Sequence, residues 1–165
     1  MADRLEHDEV SIDIDAAPEV VYDLVGDITR MGEWSPECYR CEWLDGATSA
    51  SVGACFRGHN KSGPFRWSNT SQITEAERGK ILAWAMGPSD NPYSAWQYTF
   101  KPTPGGVIVT ETFRSLRHTL LGRIATLPMG GQRRSQARLQ RGIQQTLDRL
   151  RASAERSVGD SADHG

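Results

Sequence analysis

No apolar stretch in the chain approaches the roughly 18 residues a membrane-spanning helix needs. Mean hydropathy is -0.53, so the expectation is a soluble, cytoplasmic domain. The opening Met1 to Glu9 is charged and leads into no apolar run, which argues against a secretory signal. Only three cysteines are present, too few for an even-numbered disulfide framework. There is no G-x-G-x-x-G and no phosphate loop, so a nucleotide cofactor has no support. No internal repeat occurs. Glycine and proline all but vanish late in the chain: residues 132–156 contain only Gly142.

What is present argues against disorder. Hydrophobic residues make up 38%, with five Trp, four Tyr and four Phe among 165 residues, which suits one ordinary domain. The net charge of -2 hides a division, because residues 114–156 carry ten arginines against Asp148 and Glu155. That asymmetry fits either an anionic partner or a solvated helix face.

Val10, Ile12 and Ile14 alternate with polar residues as in a half-buried strand. Pro18 suits a first helical position, and Val21, Leu24, Val25, Ile28 and Met31 recur at helical spacing, with a break near Gly26-Asp27 into a second short helix. Residues 39 to 114 then read as six strands, divided by Gly- and Pro-containing turns too short for a crossover helix. Consecutive strands therefore pair antiparallel. Residues 132–156 place Leu139, Ile143, Leu147, Leu150 and Ala154 on one face of a long helix. A small, polar tail, 157–165, is expected to be disordered.

Centring a hairpin on each turn sets the facing residues. Ser62-Gly63 puts Phe56 opposite Asn69 and Gly58 opposite Trp67. Glu77-Arg78 puts Ser71 opposite Trp84 and Ile73 opposite Leu82. The next turn brings Trp84 to Trp96 and Leu82 to Tyr98, and Thr103-Pro104 brings Trp96 to Glu111. One sheet face thus gathers Phe56, Trp67, Asn69, Trp84 and Met86, continuing through Trp96, Tyr98, Glu111 and Phe113. The other is polar, with Arg57, His59, Ser68 and Thr110. A sheet apolar on one side buries that side, and the C-terminal helix is the one element long enough to cover it. Bulky sheet residues opposite modest helix residues leave room for a cavity. The predicted class is α+β: a curved, seven-stranded antiparallel sheet around a long C-terminal helix, with two short helices after the first strand, in a single domain over 9–156.

Several segments resemble a known superfamily. They are Ile12-Asp13-Ile14-Asp15-Ala16-Ala17-Pro18-Glu19-Val20-Val21-Tyr22, the tryptophan-proline element Met31-Gly32-Glu33-Trp34-Ser35-Pro36-Glu37, and Trp96-Gln97-Tyr98-Thr99-Phe100 followed by Gly105-Gly106-Val107-Ile108-Val109-Thr110-Glu111. Together with the element order they resemble the helix-grip fold of the SRPBCC superfamily (START lipid-transfer domains, birch-pollen allergens, polyketide cyclases), with the bacterial polyketide cyclase/dehydrase-like branch nearest. The resemblance implies an apolar cavity opening near the helix pair and the start of the long helix, to which Trp34 is added as a candidate. It implies binding of a small hydrophobic molecule (lipid, polyketide or aromatic) by a carrier or sensor. A polyketide aromatase/cyclase and an interaction protein using its basic C-terminal segment are the alternatives, and no cofactor is expected.

Glu111 is the most informative single residue, since an ionised carboxylate on an apolar face is costly unless paired. Either it moves a proton or orients a ligand, with Tyr98 as the second catalytic candidate, or it is structural and bonded to the Trp34 indole or loop amides. Tyr98 and Asn69 either orient a ligand or satisfy each other. His59 and Arg57 fall on the outer face, and no histidine has a nucleophile and acid at triad spacing. Cys38-Tyr39-Arg40-Cys41 enters a strand rather than opening a helix, and zinc lacks a second pair, so the thiols are read as inert and no metal is expected. Residues 115–131, with Leu116, Leu120, Leu121, Ile124 and Leu127 on one stripe, form a lid, a peripheral membrane contact or a plain connector. Nucleic-acid binding is disfavoured, because the aromatic face points inward.

Overall fold

The computed structural model describes residues 7–117 and 132–162. Strand β1 (His7–Ile14) leads into α1 (Pro18–Gly26), a 3-10 turn (Ile28–Arg30) and α2 (Met31–Trp34). Strands β2 (Cys38–Trp43), β3 (Cys55–Ser62), β4 (Phe65–Glu77), β5 (Ile81–Met86), β6 (Ser94–Thr103) and β7 (Gly106–Ser115) follow, then the long helix α3 (Gln132–Ala162). The seven strands form one antiparallel sheet in the order β1-β7-β6-β5-β4-β3-β2. Among the described residues no helix is long and apolar enough to cross a membrane.

Local chemistry sets the helix pair. Pro18 starts α1 with Glu19 in its first turn, where a negative charge complements the helix dipole. Val21, Leu24, Val25 and Ile28 are buried. Asp27 caps the 3-10 turn by accepting from the Thr29 amide at 3.2 Å. Ser35 ends α2, and its hydroxyl accepts from the Cys38 amide at 3.0 Å, turning the chain into β2.

The sheet pairing departs from the sequence-derived register in three hairpins, β3–β4, β4–β5 and β6–β7. Ser62 pairs with Phe65 across a Gly63-Pro64 turn, not Ser62-Gly63, so Gly58 faces Asn69 and Asn60 faces Trp67. Gly63 adopts φ +56, as the first central residue of a type II′ hairpin requires. The last hairpin turns on Pro104-Gly105, so Tyr98, not Trp96, faces Glu111, and Trp96 faces Phe113. Moving a turn centre by one residue moves the register by two, which preserves the side each residue faces. In β4–β5, Ser71 faces Met86 and Ile73 faces Trp84, in place of the expected Trp84 and Leu82, and an irregularity between Ile73 and Glu75 then sets Ala76 opposite Leu82. The β5–β6 pairing of Trp84 with Trp96 and Leu82 with Tyr98 is as expected.

The sheet's polar side is laced by small contacts such as Ser11 to Thr110 at 2.7 Å and His59 between Glu42 at 2.9 Å and Ser68 at 3.0 Å. Helix α3 buries Ile143, Leu147, Leu150 and Ala154. It continues to Ala162, past Arg156, where composition predicts a tail; a helix already nucleated adds residues at little cost. Its principal contacts are with β1, α1, α2 and β7. Among the described residues the helix therefore packs directly on one half of the concave sheet and leaves the β3–β5 half uncovered. Of the segment 115–131, residues 118–131 lie outside the described residues.

Candidate functional site

That uncovered half is a cavity of about 930 Å³, at the upper end of the range typical of small-molecule sites. Its walls are aromatic. Phe56 and Trp84 meet edge to face at 5.8 Å, Trp84 stacks on Tyr98 at 5.7 Å, and Trp96 meets Phe113 at 4.9 Å. The Trp96 indole N–H donates to Met86 Sδ at 3.0 Å, satisfying the indole within the wall. Helix α3 contributes Leu139, Gly142, Ile143 and Thr146 to the opposite side. Gly142 matters there: among the described residues a Cβ at this position would touch only Pro36 Cγ, at 3.6 Å.

Polarity divides the site by depth. The exposed residues Lys61, Arg66, Arg138 and Arg141 line the outer part with Glu37. Arg138 is tied to Glu37 at 3.0 Å and to the Ser62 hydroxyl. The deep polar pair is Tyr98 and Glu111, cross-strand neighbours that are each 4% exposed. Burial pushes the Glu111 carboxyl up to about 8, and a hydrogen bond from Tyr98 opposes that rise only in part. Burial, the Glu111 charge and the hydrogen bond to Glu111 together raise Tyr98 well above the ordinary phenol range. At neutral pH the carboxyl is therefore predominantly a neutral acid. Among the described residues its buried Oε2 has no hydrogen-bond partner.

Of the ten residues nominated from sequence, nine line this cavity: Phe56, Trp84, Met86, Trp96 and Phe113 as apolar wall, Tyr98 and Glu111 at depth, and Asn69 and Trp67 nearer the edge. Trp67 is 39% exposed. Trp34 is elsewhere. It is buried beneath the Arg30 guanidinium, 5.4 Å from the ring centre, and its carbonyl accepts from Arg149 at 3.3 Å. It does not line the cavity, and the expected alternative bond from its indole to Glu111 gives way to the Tyr98 pairing. Nor do Tyr98 and Asn69 serve each other, since the register sets Asn69 against Gly58.

Sequence reasoning missed the sulfur-bearing wall formed by Met31, Cys38 and Cys41, and the cationic mouth. The mouth draws on β3, β4 and α3, distant in sequence, so no local spacing marks it.

No curated protein matches the chain. Solved structures match along its length. The Zhui aromatase/cyclase from Streptomyces sp. R1128 is 16% identical, with a TM-score of 0.70 over 94% of this chain and 96% of that one. The di-domain aromatase/cyclase StfQ, from the steffimycin biosynthetic pathway, is 14% identical with a TM-score of 0.73, covering 94% of this chain and 52% of its own. The Polyketide_cyc-like protein Cgl2372 from Corynebacterium glutamicum is 28% identical with a TM-score of 0.53, covering 96% and 87%. At these identities the two aromatase/cyclases establish a shared helix-grip fold, not a shared activity. The family model described as polyketide cyclase / dehydrase and lipid transport matches residues 7–155, and the chain belongs to that family.

Proposed function

We propose that the protein binds a small, largely hydrophobic molecule in this cavity, as a carrier or sensor, and holds a hydrogen-bond-accepting group of that molecule at Glu111. The observation that carries this reading is the buried, unpartnered Oε2 in an aromatic-walled space of about 930 Å³. A neutral carboxylic acid has one O–H to donate, and leaving a buried donor unmet costs about 1–3 kcal/mol. A ligand carbonyl, hydroxyl or ether removes that cost, while the rings of Trp84, Trp96 and Phe56 receive its apolar body. The cations at the mouth favour a polar or anionic outer end.

Native mass spectrometry of freshly purified protein, followed by tryptophan quenching with fatty acids, flavonoids and aromatic polyketides, tests the reading. A co-purified hydrophobic molecule, or saturable quenching by a carbonyl-bearing ligand, is expected. Glu111→Leu should weaken a carbonyl-bearing ligand roughly tenfold, the equivalent of one hydrogen bond, and leave a pure hydrocarbon unaffected. Absence of any bound or quenching molecule would defeat it.

A second reading is favoured by the position of the Glu111 titration, at about 8. A group that titrates near neutrality relays protons well, and the cavity would fold a poly-β-ketone chain for ring closure with Tyr98 as partner. An unaltered product distribution in Glu111→Gln and Tyr98→Phe excludes this cyclase role while leaving the carrier role standing.

A further inference from the structure

Residues three apart in a regular strand point to opposite faces, so Cys38 and Cys41 should not meet. They do. The β2–β3 pairing slips between Cys38 and Arg40, running from Cys38–Asn60 to Arg40–His59, so that Tyr39 is the extra residue of a bulge. The slip turns both cysteines to the concave side, where they are buried with Sγ atoms 3.4 Å apart. Gly58 stands across from Cys41, against both sulfurs. A Cβ at Gly58 would lie 3.6 Å from each Sγ. Both cysteines line the cavity, so a small molecule that enters the mouth meets them. Cys55 is remote from this wall, its thiol turned to the Gly53 carbonyl at 3.6 Å.

We infer that Cys38 and Cys41 are a reversible redox pair in the cavity wall, closing to an intramolecular disulfide by exchange with a low-molecular-weight disulfide admitted through the mouth. A disulfide needs an S–S separation of about 2.05 Å, so from 3.4 Å the sulfurs must approach by about 1.4 Å. The hydrogen bond from the Cys41 thiol holds Cys38 below the ordinary thiol range, and the same bond, with burial, pushes Cys41 up. That asymmetry favours Cys38 as the attacking sulfur, and exchange begun at Cys41 would close the same bond.

The exchange balances in two steps. Cys38 Sγ, having released its proton, attacks one sulfur of RS–SR; the S–S bond of the small molecule breaks, and the departing RS⁻ takes up a proton as RSH. Cys41 then loses its proton and attacks Cys38 Sγ. The bond between Cys38 and the remaining RS group breaks, and a second RSH leaves. Two protein thiols are oxidised and one small disulfide is reduced to two thiols.

The test uses the whole folded chain and 2-hydroxyethyl disulfide, with acid quenching, alkylation, intact mass measurement and peptide mapping. The expected product has lost two hydrogen atoms, links Cys38 to Cys41, keeps Cys55 alkylated, and returns to its original mass with dithiothreitol. Cys41→Ser should retain one hydroxyethylthio group on Cys38. Should that variant fail to fold, the wild-type peptide map alone decides. Alkylation of all three cysteines, separate adducts on Cys38 and Cys41, a linkage through Cys55, or zinc retained by the pair and blocking exchange would each overturn the inference. None of these outcomes depends on the identity of the cavity's ligand.

Discussion

Replacing Glu111 by glutamine keeps the shape and a hydrogen-bond donor while removing the titration. The native carboxyl titrates near 8, against 4.5 for an ordinary glutamate. Between those values the folded protein holds a proton that the unfolded chain has released, so wild-type stability falls as pH rises through that window. Below 4.5 the stabilisation of the neutral acid is complete; above about 8 it is gone. At about 1.4 kcal/mol per pH unit the full span amounts to roughly 5 kcal/mol. This is an upper limit, because the cavity opens to solvent and water drawn toward the ionised form reduces the penalty. Urea unfolding of both proteins at pH 5, 7 and 9 provides the measurement. Near pH 5 the midpoints should differ little, and by pH 9 the variant should be the more stable by several kcal/mol. With a slope of about 2 kcal/mol/M, that is a midpoint shift on the order of 2 M. The other titrating groups are common to both proteins; Tyr98 depends on Glu111 in part, but burial, the largest cause, raises it in both. A stability difference that stays constant from pH 5 to pH 9 would refute a buried, neutral Glu111.

Tyr98→Phe removes the hydrogen bond that lowers Glu111, so the carboxyl should titrate at a higher pH than in the wild type, read from its infrared carbonyl band. Trp84→Ala should cost about 3–5 kcal/mol in chemical denaturation, because Trp84 holds Phe56 on one side and Tyr98 on the other; a loss below 1 kcal/mol would place the ring outside the core. Gly142→Leu should fill the cavity from α3 with no loss of stability. Glycine in a helix interior costs about 1 kcal/mol, and among the described residues the new Cβ meets only Pro36. Ligand titration by calorimetry should then give no heat, and undiminished binding would place the ligand elsewhere.

The apolar row was legible because strand periodicity is two. Errors of two residues at the Ser62-Gly63 and Thr103-Pro104 turns exchanged neighbours, yet Phe56, Trp96 and Glu111 kept their face. The turns themselves were misplaced by one residue, since Gly63-Pro64 and Pro104-Gly105 offer equally good turn chemistry and only strand pairing chooses between them. Trp34 was misassigned because a buried tryptophan beside the helix pair carries the same sequence signal whether it lines a cavity or packs beneath α3. Cys38 and Cys41 were read as inert because the pair enters a strand instead of opening a helix and has no second pair for zinc; that their sulfurs meet was not legible, since a bulge leaves no mark in composition.

From local chemistry alone, the chain determined its elements, their antiparallel order, the sidedness of the sheet and the placement of a lone acid among aromatic rings. These follow from periodicity and turn residues, which act over a few positions. Tertiary structure decided where α3 rests, and hence that the β3–β5 half stays hollow. It also decided that Tyr98 rather than Trp34 meets Glu111, and that two thiols converge, because each depends on contacts between residues far apart in the chain.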